Sequence, residues 1–244
     1  MMRRAALLLA LLMALPAGAA EGPACGAPPE LLEAPPLPVV AAARRAGRLH
    51  ILAVGSASIT SPGVSRASAS FASRLEAIIA ERRPGIDIRI EVRGGRGMSA
   101  ADQWHLVEAA LAQGKPDLVI WQAGATETVR GLPVDDMSDV LTEGLSQLEA
   151  RGIDAVVMDL QFSRFLRANA EVAPYEAALR VAASAGQAAL FPRYELMHAW
   201  VEAGTVDVER APRRDRAAQV DRLNDCLAQA MAIFLRNGAR EARR

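Results

Sequence analysis

The sequence predicts an α/β domain: a five-stranded parallel sheet with helices on both faces. Three observations carry that reading. Apolar runs of strand length recur at residues 49–54, 86–92, 118–121, 155–158 and 187–190, and amphipathic helical patterns stand between them. Strand alternating with helix is the pattern of parallel strands joined by helical crossovers, which cover both sheet faces. A chain of 244 residues with 51% hydrophobic and 23% charged side chains suits one globular domain and excludes a disordered or collagen-like chain.

The elements follow in order. Arg3 and Arg4, an apolar run over 5–15, then Pro16 and the small residues 17–20 have the layout of a secretory signal, with cleavage expected after Ala19 or Ala20. The run is too short for a membrane span, which needs about 20 apolar residues. Gly22 stands three places before Cys25, where a lipoprotein anchor needs a bulky apolar residue. The mature chain is therefore expected to be periplasmic or secreted, with no membrane span after signal removal. Residues 21–46 carry Pro23, Pro28, Pro29, Pro35, Pro36 and Pro38 and read as an extended leader on the surface, with a short helix over 39–46. A domain over 47–237 follows. After the first strand, ended by Gly55, come a helix over 70–83, a strand whose apolar and charged residues alternate, and a helix over 99–113. The third strand is followed by a helix over 134–151, the fourth by one over 172–185 and the fifth by one over 194–203. A last helix runs from about 219 to 236, and residues 238–244 form a basic tail. Parallel sheets bind ligands beyond the carboxyl ends of their strands, so the informative loops follow Val54, Val92, Gln122, Asp159 and Leu190.

Charge narrows the partners. The 28 basic side chains equal the 28 acidic ones, Lys115 is the one lysine, and the arginines are dispersed among acids along the chain. No concentrated basic face of the kind a phosphate backbone needs is expected, and nucleic acid is not expected as a partner. Export into an oxidising compartment lets the two cysteines pair. A Cys25–Cys226 disulfide is expected, tying leader to last helix; the alternative is a free Cys25 in an unanchored leader.

The strand-end loops carry a resemblance. Val54-Gly55-Ser56-Ala57-Ser58 after the first strand, Gly94-Gly95-Arg96-Gly97 after the second, the run from Pro116 to Gly124 through the third, and Leu223-Asn224-Asp225 in the last helix together resemble the SGNH/GDSL hydrolases over residues 48–237. The loop Asp159-Leu160-Gln161-Phe162-Ser163 is similar to one in exported members. The resemblance implies the flavodoxin-like three-layer sandwich of the SGNH hydrolase fold. It also implies serine-ester chemistry: a nucleophile after the first strand, an oxyanion hole of two amides and an asparagine, and an Asp-x-x-His pair near the C-terminus. A serine needs an adjacent base, and the oxyanion needs donors already aimed at it.

Carried over position by position, the resemblance departs from that chemistry. The nucleophile position falls on Ala57, which cannot attack an ester; Ser56 and Ser58 flank it. The second-block glycine is Gly97, or alternatively Gly94. In the third block Thr126 stands in the asparagine position, followed by Glu127, and a threonine offers one hydroxyl donor where an amide offers two. In the last block Arg222 stands where the histidine belongs and Gln219 where the aspartate belongs. An arginine stays protonated and cannot serve as general base. Sliding Asp221 into the aspartate position puts Asn224 in place of the histidine. Of the three histidines, His50 begins the first strand, at the wrong end of the sheet, and His105 lies on a solvent-facing helix. His198, after the fifth strand, is the remaining candidate base.

No metal or cofactor is expected, because histidines, cysteines and carboxylates are not clustered, and the acids at 135, 136 and 139 suit a helix N-terminus. The glycines at 94–97 lack the spacing of a nucleotide loop. Arginines at 210–216 and 240–244 read as solvated charge, the first group also as a possible anion-favouring rim. Two readings remain. One is an exported non-catalytic domain that binds a small acylated or anionic ligand, or an envelope protein, through Ser56, Ala57, Ser58, Gly97, Thr126, Glu127, Gln161 and Arg222. The other is an active serine esterase acting through Ser56 or Ser58 with His198 or a water-mediated base.

Overall fold

The computed structural model describes residues 24–243; the expected signal segment lies outside them. Five parallel strands, β1 (Arg48–Gly55), β2 (Asp87–Gly94), β3 (Leu118–Gln122), β4 (Asp154–Met158) and β5 (Ala189–Phe191), stand in the order β2-β1-β3-β4-β5. That is the flavodoxin-like order, in which the chain reverses direction across the sheet beside β1 and leaves a crevice at the strand ends.

Alternation along the central strands divides the interior in two, because successive side chains of a strand point to opposite faces. Leu49, Ile51 and Ala53 of β1, with Leu118, Ile120, Val156 and Met158, meet α1 (Pro38–Arg45), α2 (Phe71–Arg82), α8 (Arg193–Glu202) and α9 (Arg216–Glu241). Leu52 and Val54, with Val119, Trp121, Ala155 and Val157, meet α3 (Ala100–Leu111), α5 (Val134–Ala150) and α7 (Ala173–Ala185). Both faces of β1 and β3 are thus covered, which is why residues 51–54 and 118–121 are continuously apolar, and each fully buried Leu or Ile contributes about 1.5–3 kcal/mol. β2 is an edge strand and keeps its alternation, with Ile88 and Ile90 against the core and Arg89 exposed. Helix starts follow their caps. The Ser70 hydroxyl accepts from the Ser73 amide, and Ser99 and Asp102 form a reciprocal capping box at α3.

Three expectations are corrected. The leader does not lie on the surface: Leu32, Leu37 and Val40 are buried in the core, because its apolar residues cover the flank of α9 that the sheet leaves open. The C-terminal residues from 238 are not a separate tail. α9 continues to Glu241, and Gly238 allows the leader a close approach, since a Cβ there would stand 2.8 Å from the Leu37 side chain and from the Pro35 carbonyl oxygen. The Leu37 amide donates to the Gly238 carbonyl at 3.0 Å. Third, β5 begins later than expected, because Gln187 turns the chain at a positive φ of 52° after α7. Two helices without a sequence signal, α4 (Ala125–Arg130) and α6 (Arg164–Asn169), are each six residues long. Cys25 and Cys226 are joined by a disulfide with their Cα atoms 5.5 Å apart. Among the described residues no helix is long and apolar enough to cross a membrane.

Candidate functional site

The carboxyl ends of the strands open into a cleft of about 350 Å3. The loop after β1 supplies Ser56, Ala57 and Ser58, the loop after β2 supplies Arg96 and Gly97, α4 supplies Thr126 and Arg130, and the loop after β4 supplies Gln161. The strands reach this point backbone to backbone. Gly55 pairs with Gly94, whose added Cβ would fall 2.1 Å from the Gly55 carbonyl oxygen. At Gly97 φ is +76° with open space around it, so this glycine serves the turn rather than a close approach.

Beneath the cleft lies a buried polar cluster. The Ser58 hydroxyl oxygen accepts from the Gln122 side-chain amide and from Arg193 Nη1, the latter at 3.2 Å. Arg193 is 3% exposed at the start of α8. Asp159, equally buried after β4, accepts from the Tyr194 amide at 2.9 Å. Burial pushes the Asp159 carboxyl up to about 8, against the pull of that amide, and pushes the Arg193 guanidinium down to about 10, opposed by Asp159. Arg193 is therefore protonated at neutral pH. Its Nε and Nη2, and Gln122 Oε1, have no hydrogen-bond partner among the described residues. A guanidinium only donates, so Arg193 can stabilise negative charge on the Ser58 oxygen but cannot take its proton. The Ser56 hydroxyl does not cap the turn it opens; its carbonyl accepts from the Ile59 amide instead.

The structure separates other predicted site residues from the cleft. Glu127 is 2% exposed and turned inward, where Oε1 accepts from the Ala100 amide at the start of α3, a position where the helix dipole favours a carboxylate. Arg222 is exposed on α9 and does not line the cleft. The His198 ring lies 4.8 Å from the Phe162 ring, tilted 42° to it, with Nε2 3.8 Å from Glu202 Oε1 on the exposed side of α8. Asp221 and Asn224 pin the segment after β1 to α9: Asp221 accepts from the Ser65 amide at 2.9 Å, and Asn224 donates to the Ala69 carbonyl at 3.2 Å. Gln219 accepts from the Asp207 amide. The rim arginines are Arg96 and Arg130, not those at 210–216.

Arg193, Gln122 and Asp159 were not singled out by sequence. Their available signal was a polar residue at the carboxyl end of each of three consecutive apolar strands. Gln161 also lines an adjoining cavity of about 140 Å3 whose wall is largely apolar, with Phe162, Met197, Trp200, Val206 and Leu223. Among the described residues, no group of three or more His, Cys, Asp or Glu is placed to hold a metal ion.

The family model for the non-GDSL lipase-like family matches residues 24–241. The chain belongs to the non-GDSL lipase-like family. Solved structures similar to this family member include esterases. An acetylxylan esterase, Axe2 from Geobacillus stearothermophilus, superposes with a TM-score of 0.60 at 16% identity over 77% of this chain and 94% of its own. TesA gives 0.58 at 19% identity over 75% and 97%, and AlinE4, an SGNH-hydrolase family esterase, 0.55 at 21% over 70% and 89%. At these identities the likeness is one of fold, and the fold of this non-GDSL lipase-like chain is that of the SGNH hydrolases. No curated protein sequence matches it.

Proposed function

We propose that this protein is an exported, non-catalytic member of its family that binds an acylated ligand with a polar or anionic head in the strand-end cleft. The bond from Arg193 to Ser58 carries the reading. In a serine esterase the nucleophile's hydroxyl donates to a base that removes its proton, whereas Ser58 faces two donors and Ala57 has no nucleophile at all. The same arrangement suits recognition. With both donors pointing at its oxygen, the Ser58 hydroxyl is free to donate into the cleft, Thr126 adds a second hydroxyl, and Arg96 and Arg130 supply positive charge at the rim. The adjoining apolar cavity at Gln161 is suited to the acyl portion. Export is supported by the signal-like segment over 1–20 and by the disulfide between Cys25 and Cys226.

Intact-mass spectrometry of the exported protein, before and after treatment with a fluorophosphonate, tests this. The expected result is a starting mass lacking about 20 N-terminal residues and no adduct, beside a labelled active hydrolase. A stoichiometric adduct mapped to Ser56 or Ser58 would establish a serine esterase instead.

A further inference from the structure

At the amino-terminal side of β1, away from the cleft, a second cavity of about 480 Å3 opens between three helix ends. Arg44 comes from the last turn of α1, Arg82 and Arg83 from the end of α2, and Arg236, Arg240 and Arg243 from the end of α9. Its apolar floor includes Leu49, Ile79 and Leu235, and none of the residues lining it is acidic. The expectation that no concentrated basic face exists is thereby corrected: arginines scattered over 200 residues of sequence converge because α1, α2 and α9 end side by side.

Helix capping does not account for this concentration. A helix C-terminus carries about −0.5 charge, so three ends balance less than a third of the five guanidinium charges of Arg44, Arg82, Arg83, Arg240 and Arg243. The remainder act on one another across the cavity. Arg44 records that repulsion: burial first, then the charges of Arg83, Arg243, Arg236 and Arg240, hold its guanidinium below the ordinary arginine value. Its Nε is buried with no hydrogen-bond partner among the described residues. Such a cluster is unfavourable until an anion neutralises it, and the planar fork of arginine matches phosphate oxygens two at a time. The volume lies within the range of small-molecule sites and exceeds the needs of a lone ion.

We propose that this cavity binds a compact anion carrying more than one phosphate charge, presented either by a free polyphosphate or by phosphate lipid headgroups. The inference is independent of the cleft and of whether Ser58 is activated.

The probe is inorganic triphosphate, added to the full oxidised protein at constant ionic strength. The expected result is a saturable rise in Tm and a measurable heat of binding, weakened at least about tenfold in the Arg44→Gln/Arg240→Gln double variant. Without triphosphate that variant should melt no lower than the parent, since it relieves repulsion. A parent response no greater than sodium chloride produces, or one undiminished in the variant, would overturn the proposal. Should the variant fold poorly, phenylglyoxal mapping on the parent decides: triphosphate should protect Arg44, Arg83 and Arg240 but not Arg222, and equal labelling at all four would overturn it. Sedimentation with phosphatidylglycerol but not phosphatidylcholine vesicles, reversed by triphosphate, identifies a lipid headgroup as the source. Triphosphate binding without vesicle binding identifies a free solute.

Discussion

Arg193 Nη1 donates to Ser58 Oγ at 3.2 Å across 135 residues of chain, linking the loop after β1 to the first turn of α8. The bond spans the carboxyl edge of the sheet beneath the cleft, so the position of Ser58 depends on β5 and α8 as much as on its own turn. It also orients the serine as an acceptor toward the protein interior, the opposite of a nucleophile awaiting a base.

Removing the Ser58 hydroxyl strands two buried donors, whereas the Ser56 hydroxyl has no hydrogen bond among the described residues. Ser58→Ala is expected to cost about 1–3 kcal/mol in urea unfolding, and Ser56→Ala to stay within about 0.5 kcal/mol. Equal costs would contradict the bonding described for the cluster.

Asp159 gives the fold a pH dependence with a defined sign. Its carboxyl titrates near 8 when folded and near 4 when unfolded, so the folded state holds a proton that the unfolded state has released. This contribution to stability is full below about pH 4 and falls as pH rises toward 8. Asp154, raised by burial to about 6, acts in the same direction at lower pH. Asp159→Asn, which can still accept from the Tyr194 amide, should therefore remove on the order of 2 kcal/mol of the decline between pH 6 and 8 and reduce the slope between pH 4 and 6 to the part that Asp154 supplies. Denaturant midpoints measured across that range check it, and an unchanged slope would reassign the titration.

Two glycines in one loop should answer alanine differently. At Gly94 the new methyl meets the Gly55 carbonyl 2.1 Å away, and only separating β1 from β2 relieves it; the loss should exceed about 3 kcal/mol. At Gly97 nothing lies within 4 Å and the cost is the left-handed backbone alone, about 1–2 kcal/mol. Thermal unfolding of the pair separates the two causes.

The disulfide closes a separation of 201 residues. Reduction, or the Cys25→Ser/Cys226→Ser pair, should lower stability by about 2–5 kcal/mol, read as a drop in urea midpoint in reducing against oxidising buffer.

Periodicity was legible wherever an element was long enough to show it. The apolar runs of β1, β3 and β4 marked a sheet covered on both faces, and the helical patterns expected over 70–83 and 99–113 begin where Ser70 and Ser99 cap α2 and α3. α4 and α6 escaped because six residues complete fewer than two helical turns. The cleft was legible through its loops, from Ser56 to Ser58, Gly97, Thr126 and Gln161, since topology alone brings strand ends together. Glu127, Arg193 and the arginines from 44 to 243 were not, because whether a polar side chain turns toward solvent, a helix terminus or another cation is decided by tertiary neighbours that no local pattern encodes. The leader misled for a related reason: its prolines exclude long regular structure, yet they leave Leu32 and Leu37 free to fill a groove.

α9 holds the leader through Cys226 and Gly238 and the loop after β1 through Asp221 and Asn224. The first segment of the domain thus finishes its contacts on the last. A chain emerging from the ribosome reaches α9 only after all five strands have been made, so the flank that α9 covers stays open until then. The order of manufacture itself delays the native state, leaving a pliable polymer for whatever machinery handles it before α9 docks.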